Sequence, residues 1–495
     1  MIGTRPAVEP RKEQVLPSES YVRKAMPQSL RTFDLTMIFL MVVLFINNPV
    51  ETAGAGVAAF TYWIIGVLVF FVPCVIATAQ LGTMFFQEGS LYNWTQKALG
   101  SFWSFFAGLS FWSSGILGMV GSAGIAVSFL QALNSKWLAE PREQGVLIVL
   151  ILILASVISM QRFRMVQHLV NYTTMLMLGV IALLGLAALI WLESGHPAAT
   201  SLTPVSSSLA IQPGNYVLFS IVIFAFLGAN VSMTMGGEIT DRKAVTRHLF
   251  RGGALVIVSY LIVNFALLVV LGPRAAVIGP FSIISVIDQV FGKFIGDIAI
   301  ACVITFFLVL TALLNSIFAR FLLVGALDRR LPISLGRLDE NRVPLTAIIV
   351  QTTVAVLFAT VVFLLPYLIS LGNPINLTNE LFTVSLYAHS MIWAISTVFL
   401  FIDLLVLYIR DRRTFHARRI FPMPVLWACI FVAPLACVLA IIVTLSYSPI
   451  PQLIPTNLWG GIVGVLTLIW LLIAAICSML ASGEAAWEDF GAATP

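Results

Sequence analysis

Along this chain of 495 residues, apolar runs of about 17 or more residues recur about twelve times, each long enough for an α-helix to cross a bilayer. They fall near 33–58, 61–82, 101–133, 145–160, 168–192, 216–237, 252–273, 294–325, 344–366, 380–409, 424–446 and 458–481. None alternates polar and apolar residues at every second position, as a barrel strand would. The pattern therefore predicts an all-α integral membrane protein of about 12 transmembrane helices.

Two of these runs are interrupted. In the first, Leu35 to Ile46 reads as buried helix. Polar and small residues then follow: Asn47, Asn48, Pro49, Val50, Glu51, Thr52, Ala53, Gly54, Ala55 and Gly56. The sixth contains Gly228, Ala229, Asn230, Val231 and Ser232, and ends on Gly236, Gly237 and Glu238. Backbone N–H and C=O groups inside a bilayer must be satisfied by protein, so a break at depth is tolerated where it lines a cavity. A pair of broken helices at matching places in two halves points to the binding site of a secondary transporter.

Composition agrees with the pattern. The chain is 59% hydrophobic and 10% charged, against about 25% charged in soluble proteins. Cys74, Cys302, Cys429, Cys437 and Cys477 all lie in apolar runs and are expected to pack without disulfides. The first 30 residues lack the apolar core of a cleavable signal, so the first span is expected to direct its own insertion. Lys and Arg fix the orientation. With the N-terminus inside, the outer segments hold only Lys136, Arg142, Arg274 and Lys293, and both termini are cytoplasmic. The net charge of +5 then reflects basic loops beside the membrane, with no nucleic-acid partner implied. Three segments read as polar ends or connectors: a mobile N-tail over 1–32, a flexible loop near 193–215, and a C-tail over 482–495. That C-tail is either a solvated end or a cytoplasmic plug.

Several ordered motifs resemble those of the amino acid–polyamine–organocation (APC) transporter superfamily. Glu88, Gly89, Ser90, Leu91, Tyr92, Asn93, Trp94, Leu99 and Gly100 are similar to its E-G-G-x-Y-x-W-x-x-x-x-L-G loop. Gly237, Glu238 and Asp241 resemble its G-E-x-x-[ND]-P-x segment, with Arg242 where proline is usual. Arg320, Asp328, Leu331 and Pro332 resemble its S-R-x7-D-G-x-L-P pattern, with Ala319 for the serine and Arg329 for the glycine. Arg342, Val343, Pro344 and Leu345 resemble its entry to span nine. Phe45, Ile46, Asn47, Asn48 and Pro49 are nearest the glutamate–GABA antiporter branch. The resemblance implies a 5+5 inverted repeat (LeuT/APC-like) with discontinuous helices 1 and 6. The first repeat would occupy 33–192 and the second 216–409, with two further helices over 424–481.

Candidate residues follow from the breaks and the resemblance. The amides of Val50 to Gly54, Thr52 and Ala53 included, and of Gly228 to Ser232 are candidates for binding a substrate carboxylate, since a half-helix dipole favours negative charge there. Alternatively, Asn47 and Asn48 with Pro49 simply kink the helix. A carboxylate at Glu51 is costly in the membrane and should line water, pair or take up a proton. It is the candidate for holding a substrate ammonium or coupling protons, unless the break sits shallow in an outer vestibule. Ser113 and Ser114 in span three are candidates for the pocket or for helix contacts. The resemblance places Phe224 at an aromatic gate, Asn230 where some members have glutamate, and Asn315 where members carry an aromatic over the pocket. That departure suggests a larger or more polar site. Tyr387 and His389 are gating or packing residues, and Arg320 an inner-gate or structural ion-pair residue. The run after Glu238 reads as a solvated helix.

No lysine falls in span five, where Met177 takes the matching place of proton-coupled members, while Thr311 and Ser316 keep a sodium site open. Substrate–substrate antiport of amino acids or related amines by alternating access is the leading expectation. A proton- or sodium-coupled amino acid or polyamine symporter is the first alternative, and a transport-inactive nutrient sensor is one of another class. No nucleophile–base pair, phosphate loop or metal-ligand spacing appears, so neither an enzyme nor a cofactor or metal is expected. The expected partners are a small amino acid or amine and the lipid bilayer. The sequence leaves the oligomeric state open.

Overall fold

The computed structural model describes residues 16–26, 28–134, 136–201, 211–369 and 372–492. Ten helices are long and apolar enough to cross a membrane, and a bent pair, Thr32–Val43 with Asn48–Ala55, makes an eleventh. The sixth crossing is split into Val217–Ala225 and Val231–Glu238, each too short to span alone. Two broken crossings plus ten continuous ones reproduce the expected order. Span three runs Ser101–Leu133 and packs along span eight, Lys293–Leu327, with the Phe111 and Phe318 rings 4.9 Å apart. Span four, Pro141–Ser159, starts earlier than its apolar run because Glu140 and Glu143 complete a capping box around Pro141, a device that stabilises a polar first turn.

The first break lies closer to the N-terminus than the run of Asn, Pro and Gly suggested. The helix stops at Val43, and a short helix restarts at Asn48 with Pro49 in its first turn, where proline's missing N–H costs nothing. Tyr260 of span seven, Arg242–Val270, fills the gap. Its hydroxyl donates to Val43 O at 2.6 Å and accepts from Phe45 N at 3.1 Å. It also lies 3.4 Å from Ala225 O, the last residue before the break in span six. One side chain thus satisfies a carbonyl and an amide of the first break and abuts the edge of the second. Around it, Trp63 stacks on Tyr260 at 4.4 Å, meets Phe226 edge-on at 5.3 Å, and Phe226 stacks on Phe71 at 4.6 Å. In span six the chain turns at Gly228, φ +100°, with its absent Cβ facing Val42 and Trp393 at 3.2 and 3.3 Å. A side chain there would be strained and crowded.

Two polar segments behave differently from their composition. Residues Pro17–Ala25 form a helix with Ser18, Val22 and Met26 buried, which corrects the expectation of a mobile N-tail for this stretch. Residues 1–15 and 27 lie outside the described part, as do 202–210 of the expected flexible loop. The last helix continues from Thr456 to Ala492, past Gly483, where a separate C-tail was expected. Residues 493–495 lie outside the described part. All five cysteines are unpaired.

Tyr260→Phe keeps the stacked ring and removes the shared hydroxyl. We expect it to destabilise the protein by about 1–3 kcal/mol, the cost of leaving buried backbone groups unsatisfied. The readout is the melting temperature of the purified chain, and an unchanged value would mean that packing alone holds the breaks.

Candidate functional site

A cavity of about 1000 Å³ sits between the broken helices and spans three and ten, at the upper end of small-ligand pockets. Asn47, Asn48 and Glu51 line it from span one, Ser114, Gly118, Gly121 and Gly124 from span three, and Phe224 and Leu227 from span six. Tyr387, His389 and Trp393 line it from span ten. Its mouth is marked by Gly214, Ala276 and Tyr447, all on connectors of the face opposite the Arg-rich loops. Glu51 is exposed within this cavity and has no ion-pair or hydrogen-bond partner among the described residues. Among the described residues neither Lys nor Arg lines the cavity, and Glu51 is its one carboxylate.

The remaining candidates separate by what their atoms touch. Val50 and Ala53 are buried, and the amides of Val50 and Glu51 are bonded to Asn47 O at 3.0 and 3.3 Å. Ala53 N is bonded to Pro49 O and Val50 O. The expected free amides of Val50 to Gly54 are thus largely used within the restarted helix. The open ones lie earlier, at Ile46 and Asn47, for which no backbone acceptor is found among the described residues. Thr52 faces away from the cavity, accepting from Trp63 Nε1 at 3.0 Å and donating to Pro49 O. Gly54 is exposed at the mouth beside Ala276.

Ser113 and Ser114 both donate to Ser110 O, at 2.8 and 3.1 Å, and of the two only Ser114 reaches the cavity wall. In span six, Val231 N bonds Gly228 O at 2.9 Å, whereas the amides of Gly228, Ala229 and Asn230 have no backbone acceptor among the described residues. None of these three residues lines the cavity. Asn230 is buried with neither side-chain polar atom partnered. Ser232 is turned to His248 Nε2 at 3.0 Å. Because His248 Nδ1 must donate to Ala244 O, Nε2 is the acceptor and Ser232 the donor. Asn315 donates to Thr352 Oγ1 at 2.8 Å on span nine and does not enlarge the cavity, which corrects that expectation. Thr311 is bonded to Ser122 Oγ and Phe307 O, both at 2.8 Å. Tyr260 and Trp393 were missed. Their signal is a hydrogen-bonding aromatic inside an apolar span, which needs a partner when buried.

The basic face is closed by a second cluster. Arg320 of span eight lies 3.1 Å from Glu88 Oε1 and 2.5 Å from Glu238 Oε1, all three nearly inaccessible. It also touches Met26 Sδ of the N-terminal helix. Glu88 Oε2 accepts from Gly237 N at 3.0 Å. Glu238, at the end of span six, is thus buried in an ion pair ahead of the basic run. The N-terminal helix covers the cluster, its Ser18 amide and hydroxyl both donating to Asp328 at 3.0 Å. Tyr92 donates to the same carboxylate, and Glu19 pairs with Lys97 at 2.9 Å. In the connector after span two, burial drives Glu88 above the ordinary carboxylate range. Glu238 reinforces that shift, and Arg320 offsets part of it.

A helical bundle with two interrupted crossings around a central cavity is the architecture of a multi-pass membrane transporter. The model of the amino acid permease family matches residues 30–470. The chain belongs to that family. It is 25% identical to the inner membrane transporter YjeM of Escherichia coli (strain K12) over 46% of this chain and 49% of that one. It is 23% identical to the probable agmatine/putrescine antiporter AguD of Lactococcus lactis subsp. lactis (strain IL1403), over 48% of this chain and 50% of that one. Each match spans about half the relative's length. The crystal structure of MhsT in complex with L-phenylalanine superposes with TM-score 0.59 at 15% identity, over 84% of this chain and 99% of that one. That likeness shows the fold, the 5+5 inverted repeat with helices 1 and 6 discontinuous.

Removing the cation should disrupt the closed face. Arg320→Met leaves two buried carboxylates without their cation and is expected to cost about 3–5 kcal/mol. The raised Glu88 carboxyl contributes stability that is fully present below the ordinary carboxylate range and is lost as pH rises through its raised value. The melting temperature should therefore fall as pH rises from the ordinary carboxylate range to about 8 and level off above it, and Glu88→Gln should flatten that dependence. An identical pH profile in Glu88→Gln would remove this carboxyl as the source.

Proposed function

We propose that the chain exchanges amine-bearing substrates, amino acids or related amines, across a cell membrane with both termini cytoplasmic. The observation that carries this reading is Glu51, an unpaired carboxylate exposed in a cavity with no lining cation. An ammonium group satisfies it. A substrate of net negative charge would meet repulsion there without compensation, which argues against glutamate as cargo despite the resemblance of the first break. A zwitterion's carboxylate has the open amide of the cavity-lining Asn47 within the same break, where the following half-helix presents its positive end.

Phe224 and Tyr387 both line the cavity, and we assign them the gating role. The Gly118, Gly121 and Gly124 face gives room for the body of the substrate. Arg320 closes the cytoplasmic side in this state. Exchange is favoured over ion-driven uptake because the cationic substrate itself neutralises Glu51. The likeness to a probable agmatine/putrescine antiporter points the same way.

The test is counterflow into proteoliposomes. Unlabelled internal amine should accelerate uptake of the labelled amine, whereas uptake that needs only a proton or sodium gradient and ignores internal substrate would sink the exchanger. Glu51→Gln should weaken cationic amine uptake by about tenfold to a hundredfold, as loss of a charged hydrogen bond of about 1.5–3 kcal/mol implies.

A further inference from the structure

A second cavity, of about 590 Å³, lies on the basic face apart from the substrate cavity. Three elements form it: the end of span two from Thr83 to Gln87, the first turns of span seven with Arg242, Lys243 and Thr246, and the connector 417–420 before span eleven. Its charged lining is Arg242, Lys243 and Arg418, without a carboxylate. Asp241, the adjacent acid, is engaged as the cap of span seven, accepting from Lys243 N at 3.1 Å.

The cleft is held in place by several contacts. The Arg242 guanidinium lies 4.7 Å from the Phe86 ring centre, a contact that fixes its plane and leaves its N–H edge free to bind an anion. Gln80 fastens the connector, accepting from Ile420 N at 2.9 Å and donating to Arg418 O at 3.5 Å. Gln87 lines the cleft as well. The N-terminal end of span seven adds its positive dipole.

The rim is apolar. Ile420 and Phe250 are exposed, and Phe250 lies 6.0 Å from Phe421. Spans two and seven both end here, at Met84 and Arg242, on the face of the basic loops, where the chain leaves the apolar runs. A phosphate held by the three cations would therefore sit at headgroup depth with acyl chains over Ile420 and Phe250. Clustered cations at this level attract anionic headgroups by about 1 kcal/mol each.

We propose that this cleft binds the phosphate group of an anionic ligand, with the headgroup of an anionic phospholipid as the source its apolar rim favours. The ligand would tie span two, span seven and the connector before span eleven together.

The test uses the full chain in neutral detergent, with its melting temperature followed against added phosphatidylglycerol, phosphatidylcholine or inorganic phosphate. Phosphatidylglycerol should raise it saturably and phosphatidylcholine should not. Arg242→Gln and Lys243→Gln should each weaken the apparent affinity about fivefold. The double variant Arg337→Gln with Arg342→Gln, which removes the same charge elsewhere on this face as the two cleft substitutions combined, should leave it unchanged. Thr246→Trp, filling the cleft without altering charge, should abolish the shift and serves if the charge variants fold poorly. A shift reproduced by inorganic phosphate with the same variant dependence would keep the site and assign it a soluble phosphate. Equal losses in both charge pairs, or a saturable shift that survives Thr246→Trp, would overturn the proposal.

Discussion

The Tyr260 hydroxyl is the contact on which the architecture turns. A helix broken within hydrocarbon exposes carbonyls and amides that lipid cannot satisfy, and this chain breaks twice, in spans one and six. By bonding Val43 O and Phe45 N while approaching Ala225 O, one phenol satisfies the first break and brings the second against it. Trp63, Phe71 and Phe226 then fix their relative positions. The cavity exists because those half-helices are held apart without leaving unsatisfied backbone in lipid. Its polarity follows from the same cause, since the residues that restart span one, Asn47, Asn48 and Glu51, are the ones facing the opening.

The two faces of the molecule are treated asymmetrically. Away from the basic loops, the cavity mouth is bounded by small residues and aromatic edges. On the basic face, Arg320, Glu88 and Glu238 interlock beneath a short helix that Asp328 receives at its N-terminus. Two carboxylates around one guanidinium make a poised closure rather than a maximally stable one. Buried ion clusters lose much of their Coulombic gain to desolvation, and separating the three partners returns each to water. Such a closure suits a face that must open in turn.

Much of this arrangement was legible in the sequence, and the division between what was and was not has a physical basis. Span count and the existence of both breaks rest on local signals, namely apolar run length, Asn47 to Pro49, and Gly228. The ordered motifs flagged Glu88, Glu238 and Arg320 individually, yet their meeting is a contact between spans far apart in the chain. Side-chain direction was the other loss. Thr52, Ser232 and Asn315 lie where polarity suggested a binding role. Each instead bonds another span or its own backbone, through Trp63, His248 and Thr352, because helical phase and the neighbouring helix decide which way a residue points. The break in span one began at Leu44, before the polar stretch, because Tyr260 could satisfy backbone there. No property of residues 44–47 alone encodes that.

In the proposed exchanger, the same asymmetry bears on coupling. Alternating access requires the outer mouth to close over Glu51 before the Arg320 cluster opens. Closing it over an ionised, unpaired carboxylate removes that charge from water, and the penalty for a buried ion is several kcal/mol even after relaxation. An empty carrier with Glu51 ionised is therefore held in the outward-facing state, whereas one carrying an ammonium closes over a neutral pair. Return from the other side meets the same condition, so a second amine must ride back. Protonation of Glu51 would satisfy the electrostatics equally and would convert exchange into proton-linked transport. The choice between the two rests on whether substrate or proton neutralises this single carboxylate before the mouth shuts.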